Sequence, residues 1–461
     1  MTTRIFGSGI RRREDPRLMT GQADYTDDIR LRGMVHAAIL RSPHAHAKIN
    51  SIDTSAARNA PGVLAVYTGA DTDGVLNPIP CAWLPPDSDI KAVDHPAMAV
   101  DTVRYVGDAV AVVVAESRYQ AEDALELINV DYSALPSVVN PQAAMASGAP
   151  QLHEDAPNNQ AFHWVVAGGD ADAAFAAAAG DPQNHVVVSE NIVQQRLIPN
   201  AMEPRSAVAS WQSAMGELTL WSTSQNPHIV RFLCSLVTGI GEHKIRVIAV
   251  DVGGGFGSKV AMYADEMLAT FCTMQLGRPV KWTATRSEGY MSTIHGRDHV
   301  QQVEMAATKD GKITGLRATV YAGMGAYLST AGPGVPTILH GLMYSGPYEI
   351  PNVKGDIFGV FTNTTPVDAY RGAGRPEATF LLERMIELLA AELDIDPVEM
   401  RRRNLIQPFE DGHDVSTGLT YDSGNYQGTL DLALQHVDYP ALRKEQTELR
   451  SQGQYMGIAV S

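Results

Sequence analysis

The stretch that most restricts how this chain folds is residues 245–259, IRVIAVDVGGGFGSK. Its first half is dense in β-branched residues and reads as a strand over 245–252. A glycine-rich bend follows at once, and a helix is predicted over 260–274. Such a bend lets backbone N–H groups approach a phosphate or an oxyanion, because no Cβ stands in the way. Two nucleotide fingerprints fail on it. The P-loop pattern needs glycine before its lysine and a hydroxyl residue after it, where this chain has Ser258 and Val260 around Lys259. GxGxxG would need glycine at Ser258 when counted from Gly253, or at Val260 when counted from Gly255. A nucleotide site is therefore disfavoured, and the bend alone reads equally well as a tight turn with no ligand.

A second bend, residues 369–375 (AYRGAGR), leads into a predicted helix with Pro376 at N1, running to about Leu393. Arg371 and Arg375 bracket flexible backbone at a helix N-terminus, where the dipole and free N–H groups favour an anion. The plainer alternative is a solvated loop whose arginines pair with surface acids. Two such bends, neither a nucleotide fingerprint, point to an unusual anionic cofactor. Residues 221–228 (WSTSQNPH) carry Gln225, whose carboxamide both donates and accepts and could grip an oxo group, or could serve as a turn and cap. His44 and His46 share one face of an extended segment without a third ligand nearby, and they read as structural.

Elsewhere the pattern is strands mixed with helices, an α+β class. Strand-like runs lie at 33–40, 63–67 and, strongest, 103–115, followed by a helix over 118–127. Residues 133–159 bring Pro136, Pro141, Pro150 and Pro157 among alanine, serine and asparagine, which is linker chemistry. Beyond it come an alanine-rich helix over 172–179, capped by Asp170 with Gly180 at C′, and strands at 185–189 and 218–222. A helix over 228–238 is entered through Pro227. The helix behind Pro376 offers Phe380, Leu381, Met385, Leu388 and Leu389 as its apolar side, and Asp396 with Glu399 three residues on opens another. Domains are expected at 1–135, 161–410 and 411–461, with a linker at 136–160. Residues 454–461 (QYMGIAVS) read as the beginning of an apolar strand, so a second chain completes the fold or the sequence is a fragment.

Composition narrows the function. Lysine and arginine number 36 against 52 acids, a net charge of −16, so nucleic acid and anionic membranes would repel this chain. Three dispersed cysteines, Cys81, Cys234 and Cys272, make no disulfide framework and no thiolate cluster site, and they suit a reducing setting. The basic run Arg11-Arg12-Arg13 within residues 1–13 is followed by Glu14-Asp15-Pro16 and not by an apolar stretch, so no signal segment is read there. The longest apolar run, Ala109–Ala115, is a buried strand, far short of the roughly 20 residues a membrane helix needs. A cytoplasmic protein is expected.

At five places the sequence resembles the molybdenum hydroxylases, the xanthine dehydrogenase and aldehyde oxidase family, and within it the aerobic carbon monoxide dehydrogenase-like large chains. These are residues 196–205 (RLIPNAMEPR), 223–228 (TSQNPH), 251–259 (DVGGGFGSK), 369–375 (AYRGAGR) and 421–426 (YDSGNY). The resemblance implies an α/β hammerhead domain at the N-terminus, a first molybdopterin-binding domain over 161–410 and the incomplete start of a second. It implies that Gln225 hydrogen-bonds an oxo ligand, that Gly255, Phe256 and Gly257 pack against the metal centre and pterin, and that Arg371, Gly372 and Ala373 line the active-site loop. Gln225 and Arg371 would be the catalytic pair. The metal would be held by the pterin dithiolene and not by protein ligands, and the pterin would be molybdopterin cytosine dinucleotide. The implied reaction hydroxylates an aldehyde or N-heteroaromatic carbon with water as oxygen source. Electrons would pass to an iron–sulfur (Fe-S) small subunit and an FAD medium subunit, in a dimer of heterotrimers. Gly372 stands where carbon monoxide oxidisers have a cysteine, which argues against that substrate. Ala373 and Val260 replace a phenylalanine and a glutamate of purine oxidisers, which argues for a roomier, less polar pocket. The family's glutamate base falls beyond Ser461. The competing reading is a non-catalytic subunit or scaffold that keeps the fold without a complete site.

Overall fold

The computed structural model describes residues 7–86 and 88–461; the first six residues of the N-terminal segment discussed above lie outside them. The chain forms two compact units, each a mixture of helices and sheet. One gathers Met1–Pro80, Asp94–Leu135 and Asn200–Thr293, the other Cys81–Val93, Pro136–Pro199 and Ile294–Ser461. In space the chain is thus interleaved, whereas the domain division read from the sequence is linear.

The first unit is built around Ala109–Ala115. A continuous apolar strand is what burial on both faces demands, and all seven residues are at most 2% exposed. Val112 and Val114 join one apolar layer with Leu218, Leu220, Trp282 and the helix Ala264–Leu276. Ala111, Val113 and Ala115 face the other way, against Ala121 and Ala124 of the helix Arg118–Leu125. The strand sits in a seven-stranded sheet of order Ile245–Ile248, Glu217–Ser222, Ser206–Gln212, Val280–Thr283, Val35–Arg41, Ala109–Ala115, Val63–Thr68. Pairing is antiparallel except between the first two strands and between Val280–Thr283 and Val35–Arg41. A small antiparallel sheet of Thr102–Val103, Ala47–Asp53 and Asn129–Ala134 completes the unit.

The second unit holds a five-stranded sheet, Gln160–Gly168, Val353–Phe361, Ile313–Gly325, His299–Thr308, His185–Gln194, antiparallel except where Ile313–Gly325 meets Val353–Phe361. The helix Arg375–Glu392 lies on it through Leu381, Leu382, Met385, Ile386, Leu389 and Ala390.

Several local expectations are corrected. The run 103–115 is two strands, Thr102–Val103 and Ala109–Ala115, because Gly107 at φ 107° turns the chain between them. The buried carboxyl of Asp108 receives the Arg104 N–H at 3.1 Å inside that turn. Gly180 is the last helical residue and not C′; Asp170 does cap that helix, accepting Ala173 N–H at 2.9 Å. In Arg375–Glu392 the buried stripe repeats in pairs four apart, which leaves Phe380 one step off it and 50% exposed. Pro376 is the second helical residue, because Arg375 already adopts the helix. The strand predicted over 245–252 ends at Ile248, and residues 454–461 form neither strand nor helix. Within 136–160, two short helical turns, Pro141–Ala144 and Pro157–Asn159, are tied together by the Asn159 carboxamide, which donates to the carbonyls of Ala144 and Pro150 at 2.9 Å each. Among the described residues no helix is long and apolar enough to cross a membrane.

Candidate functional site

In the first unit the strand Glu217–Ser222 gives way to the helix Pro227–Thr238, and Gln225 stands exposed at the junction. Its Oε1 accepts the N–H of Gly257 at 3.0 Å and that of Lys259 at 3.3 Å, while its own N–H donates to the Lys259 carbonyl at 2.7 Å. The carboxamide therefore lies across the glycine bend, with no protein acceptor for its NH2 among the described residues. Gly255 allows this close approach, because a Cβ at that position would run into the carboxamide of Gln225 and displace it. Phe256 holds φ 55°, a left-handed conformation unusual for an aromatic residue, and keeps its ring 42% exposed.

The bend does not run straight into a helix, as its sequence suggested. The N–H of Ser258 donates to Gly255 O at 2.9 Å and that of Val260 to Gly257 O at 3.0 Å, so these residues close turns on themselves. The helix begins only at Ala264. Whatever the glycines offer a ligand is backbone N–H and shape, not the end of a helix dipole.

Beneath the bend lies a carboxylate with no spacing signal in the sequence. Glu203 Oε2 accepts the Gly253 N–H at 2.7 Å and the Lys259 ammonium at 2.7 Å, and the Glu203 N–H returns to Gly253 O at 3.1 Å. Lys259 is 2% exposed, and burial pulls its pKa down although Glu203 opposes the shift. One carboxylate so pins both ends of the bend. Two residues on, Arg205 packs over the Tyr263 ring at 3.8 Å and pairs with the buried Asp265, which also pairs with Arg41. Glu266 accepts from Ser222 Oγ at 2.8 Å and from Tyr263 N–H at 2.7 Å, joining the end of the strand before Gln225 to the start of the helix after the bend. Burial pushes the Glu266 carboxyl up to about 7, against the pull of Arg205.

In the second unit the bend before Arg375–Glu392 has positive φ at Gly372 (94°), Ala373 (39°) and Gly374 (82°). Arg371 and Gly372 are exposed and Ala373 is half-buried. Neither arginine pairs with a surface acid: Arg375 turns back toward the carbonyls of Gly372 and Ala373 at 3.4 and 3.5 Å, and the Arg371 guanidinium has no partner among the described residues. A third arginine, Arg297, grips this bend from below, and nothing in the sequence marks it. The structure thus brings Gln225, Gly255, Phe256 and Gly257 together in one unit, while Arg371, Gly372 and Ala373 belong to the other. His44 lies against the Tyr132 ring at 4.8 Å and His46 is buried. All three cysteines are free thiols.

Two family models match this chain. Residues 20–136 match the aldehyde oxidase and xanthine dehydrogenase a/b hammerhead domain, and residues 152–405 match the molybdopterin cofactor-binding domain. The chain belongs to the molybdenum hydroxylase large-subunit family. It is 39% identical to the carbon monoxide dehydrogenase large chain of Afipia carboxidovorans, over 99% of this chain and 58% of that one. It is 34% identical to the nicotine 6-hydroxylase large subunit of Paenarthrobacter nicotinovorans, over 100% of this chain and 55% of that one. Quinoline 2-oxidoreductase from Pseudomonas putida 86 superposes with a TM-score of 0.90 at 34% identity, over 97% of this chain and 56% of that one. The chain spans a little over half the length of these two curated relatives. As a molybdenum hydroxylase large subunit it carries a hammerhead domain followed by a molybdopterin-binding domain in an α+β fold.

Proposed function

We propose that this chain is the part of a molybdenum hydroxylase that seats the pterin-borne metal, in an enzyme that hydroxylates an aldehyde or N-heteroaromatic carbon with water as oxygen source. The observation that carries the reading is Gln225: its oxygen is committed to the glycine bend, and its NH2 is left to donate outward. The residues fit such a group. Gly255 has no Cβ and so lets the Gln225 carboxamide lie against the bend, Phe256 is a partly exposed aromatic residue that a flat heterocycle could meet, and Arg371 offers an unpaired cation on the other bend. When bound, the cofactor supplies the two-electron redox chemistry of the hydroxylation. The chain's own part is to place donors before any charge develops, which is where fixed dipoles lower a barrier most. Gln225 would donate to an oxo ligand, Gly255, Phe256 and Gly257 would pack on the pterin and metal centre, and Arg371 with Gly372 and Ala373 would line the active-site loop.

The nicotine and quinoline enzymes among the relatives support an N-heteroaromatic substrate. The small Ala373 and apolar Val260 suit a roomy pocket of that kind. The cofactor would be the cytosine dinucleotide form, with electrons leaving to iron–sulfur and FAD subunits in a cytoplasmic dimer of heterotrimers. The general base would lie on polypeptide outside these 461 residues. The test is to produce the chain with its completing polypeptide in a host that makes the cofactor, then assay molybdenum and acid-released cytosine nucleotide. A panel of aldehydes and N-heterocycles with a dye acceptor follows. Metal-free protein from a competent host would favour a non-catalytic scaffold instead.

A further inference from the structure

In the second unit one arginine is spent almost wholly on backbone. Arg297 Nη1 donates to the carbonyl of Tyr370 at 3.1 Å and Nη2 to that of Arg371 at 2.9 Å, with the guanidinium 4.8 Å from the Tyr370 ring centroid. The same Nη1 reaches Glu377 Oε1 at 3.3 Å. Glu377 has no exposed surface and is the third residue of the helix that the bend enters. Its other oxygen, Oε2, has no hydrogen-bond partner. Burying such a pair costs desolvation that its attraction need not return, so stability alone does not explain it. A planar fork that holds two carbonyls at once is what a guanidinium provides and an ammonium does not.

The backbone around Arg297 is equally committed. Arg297 and Asp298 both hold φ 68°, a region non-glycine residues adopt only when their surroundings impose it. Asp298 is fastened by Arg196 Nη2 at 2.6 Å and by the Gly323 N–H, which donates to its carbonyl at 2.9 Å. Gly296 lets Tyr370 approach so closely that a Cβ there would lie 2.5 Å from the Tyr370 Cβ. These contacts fix the main chain on either side of Arg297.

We propose that Arg297 and Glu377 form a positioning pair that sets the shape of the bend at residues 370–374 and so aims the side chain of Arg371. The pair acts through Arg371 and touches neither substrate nor cofactor. Its consequence for turnover rests on the functional reading above; its effect on the bend does not.

The experiment uses the chain with its completing polypeptide and reads three quantities. Amide exchange is followed at Ala373 and Arg375, whose N–H groups bond Tyr370 O and Gly372 O across the bend. Molybdenum content is assayed, and kcat is separated from KM. Arg297→Met is expected to speed exchange at those two amides by about tenfold or more, while the strand Ile313–Gly325 stays protected. Arg297→Lys is expected not to restore protection, and added guanidinium is expected to restore part of it in Arg297→Met. Arg371→Met is expected to leave bend exchange unchanged and to lower molybdenum content or kcat. Unchanged bend exchange in Arg297→Met, or full protection in Arg297→Lys, overturns the proposal. If Arg297→Met does not fold, Glu377→Gln replaces it, with several-fold faster bend exchange expected and wild-type exchange overturning the idea. Molybdenum-free wild-type protein would sink the functional reading and leave the exchange result standing.

Discussion

The side-chain oxygen of Gln225 accepts the N–H of Gly257 at 3.0 Å, so one carboxamide fixes the glycine bend with its acceptor and keeps its donors for something else. The two halves of that side chain can be separated by mutation. Gln225→Glu keeps an oxygen for the Gly257 and Lys259 N–H groups but loses the NH2; the unfolding midpoint should hold while turnover falls on the order of 10²-fold. Gln225→Ala loses both, and should add about 0.5–1.5 kcal/mol of destabilisation per lost hydrogen bond. Urea unfolding paired with dye-coupled turnover checks it. Equal turnover in wild type and Gln225→Glu would remove Gln225 from the chemistry.

Adding one methyl group inside the bend should be felt at the same place. In Gly255→Ala the new Cβ meets the Gln225 carboxamide, so the side chain must leave the N–H groups of Gly257 and Lys259. A loss of about 1–3 kcal/mol is expected, with exchange at those two amides rising. A crystal structure of the variant with Gln225 still in place would contradict this.

The half-buried Glu203 pairs with the buried Lys259, and removing one partner strands the other. Glu203→Ala should cost about 3–5 kcal/mol, because an uncompensated ammonium remains under the bend. Adding Lys259→Met to Glu203→Ala should return much of that loss, since no charge is then left buried. Denaturant midpoints of the two single variants and the double variant form the cycle. A strictly additive double variant would show that the two side chains are not coupled.

Stability in the second unit should weaken in acid through a histidine pair. His340 is wholly buried, and burial pushes its pKa down to about 4. His299, its ring 5.1 Å away, lies well below the ordinary value, chiefly through burial and also through His340 and Arg297. Gln301 stands within 3.3 Å of both rings, and Tyr344 faces His340. Unfolded, both imidazoles titrate near 6.5. Between about pH 4 and 6.5 the unfolded chain binds protons the folded chain refuses, so this contribution is complete above about 6.5 and is lost as pH falls toward 4. Urea midpoints across that window should fall more steeply for wild type than for His340→Gln.

Glu266 in the first unit works in the opposite sense. Its carboxyl titrates at 4.5 when unexceptional and at about 7 when folded, raised by burial. Its contribution is complete below about 4.5 and is lost as pH rises through about 7, where the folded protein must ionise a buried group. Glu266→Gln should therefore lose less stability than wild type between about pH 5 and 8. A steeper decline in the variant would reverse the assignment.

Local chemistry was legible from the residues in order. The run Ala109–Ala115 reads as a strand buried on both sides because nothing polar interrupts it, and it is one. Asp170 and Asp396 cap the helices they precede, because a short acid before a helix can reach its free N–H groups. The glycine bend, the bend at Arg371 and the position of Gln225 were found as motifs. The predicted helix start at Val260 missed by four residues, because hydrogen-bonded turns inside the bend compete with helix and leave no pattern of their own.

The sequence by itself determined which segments become strands, where helices are capped and which bends are rich enough in glycine to bring backbone close to a ligand. Each of these depends on neighbours a few residues apart. Only the tertiary structure decided what holds the bends. Glu203 reaches Gly253 across 50 residues and Arg297 reaches the Tyr370 carbonyl across 73. Such bonds join a side chain to a distant stretch of main chain, and every residue's main chain offers the same carbonyl and, proline aside, the same N–H. Neither period nor composition marks the chosen partner, so folding alone selects it.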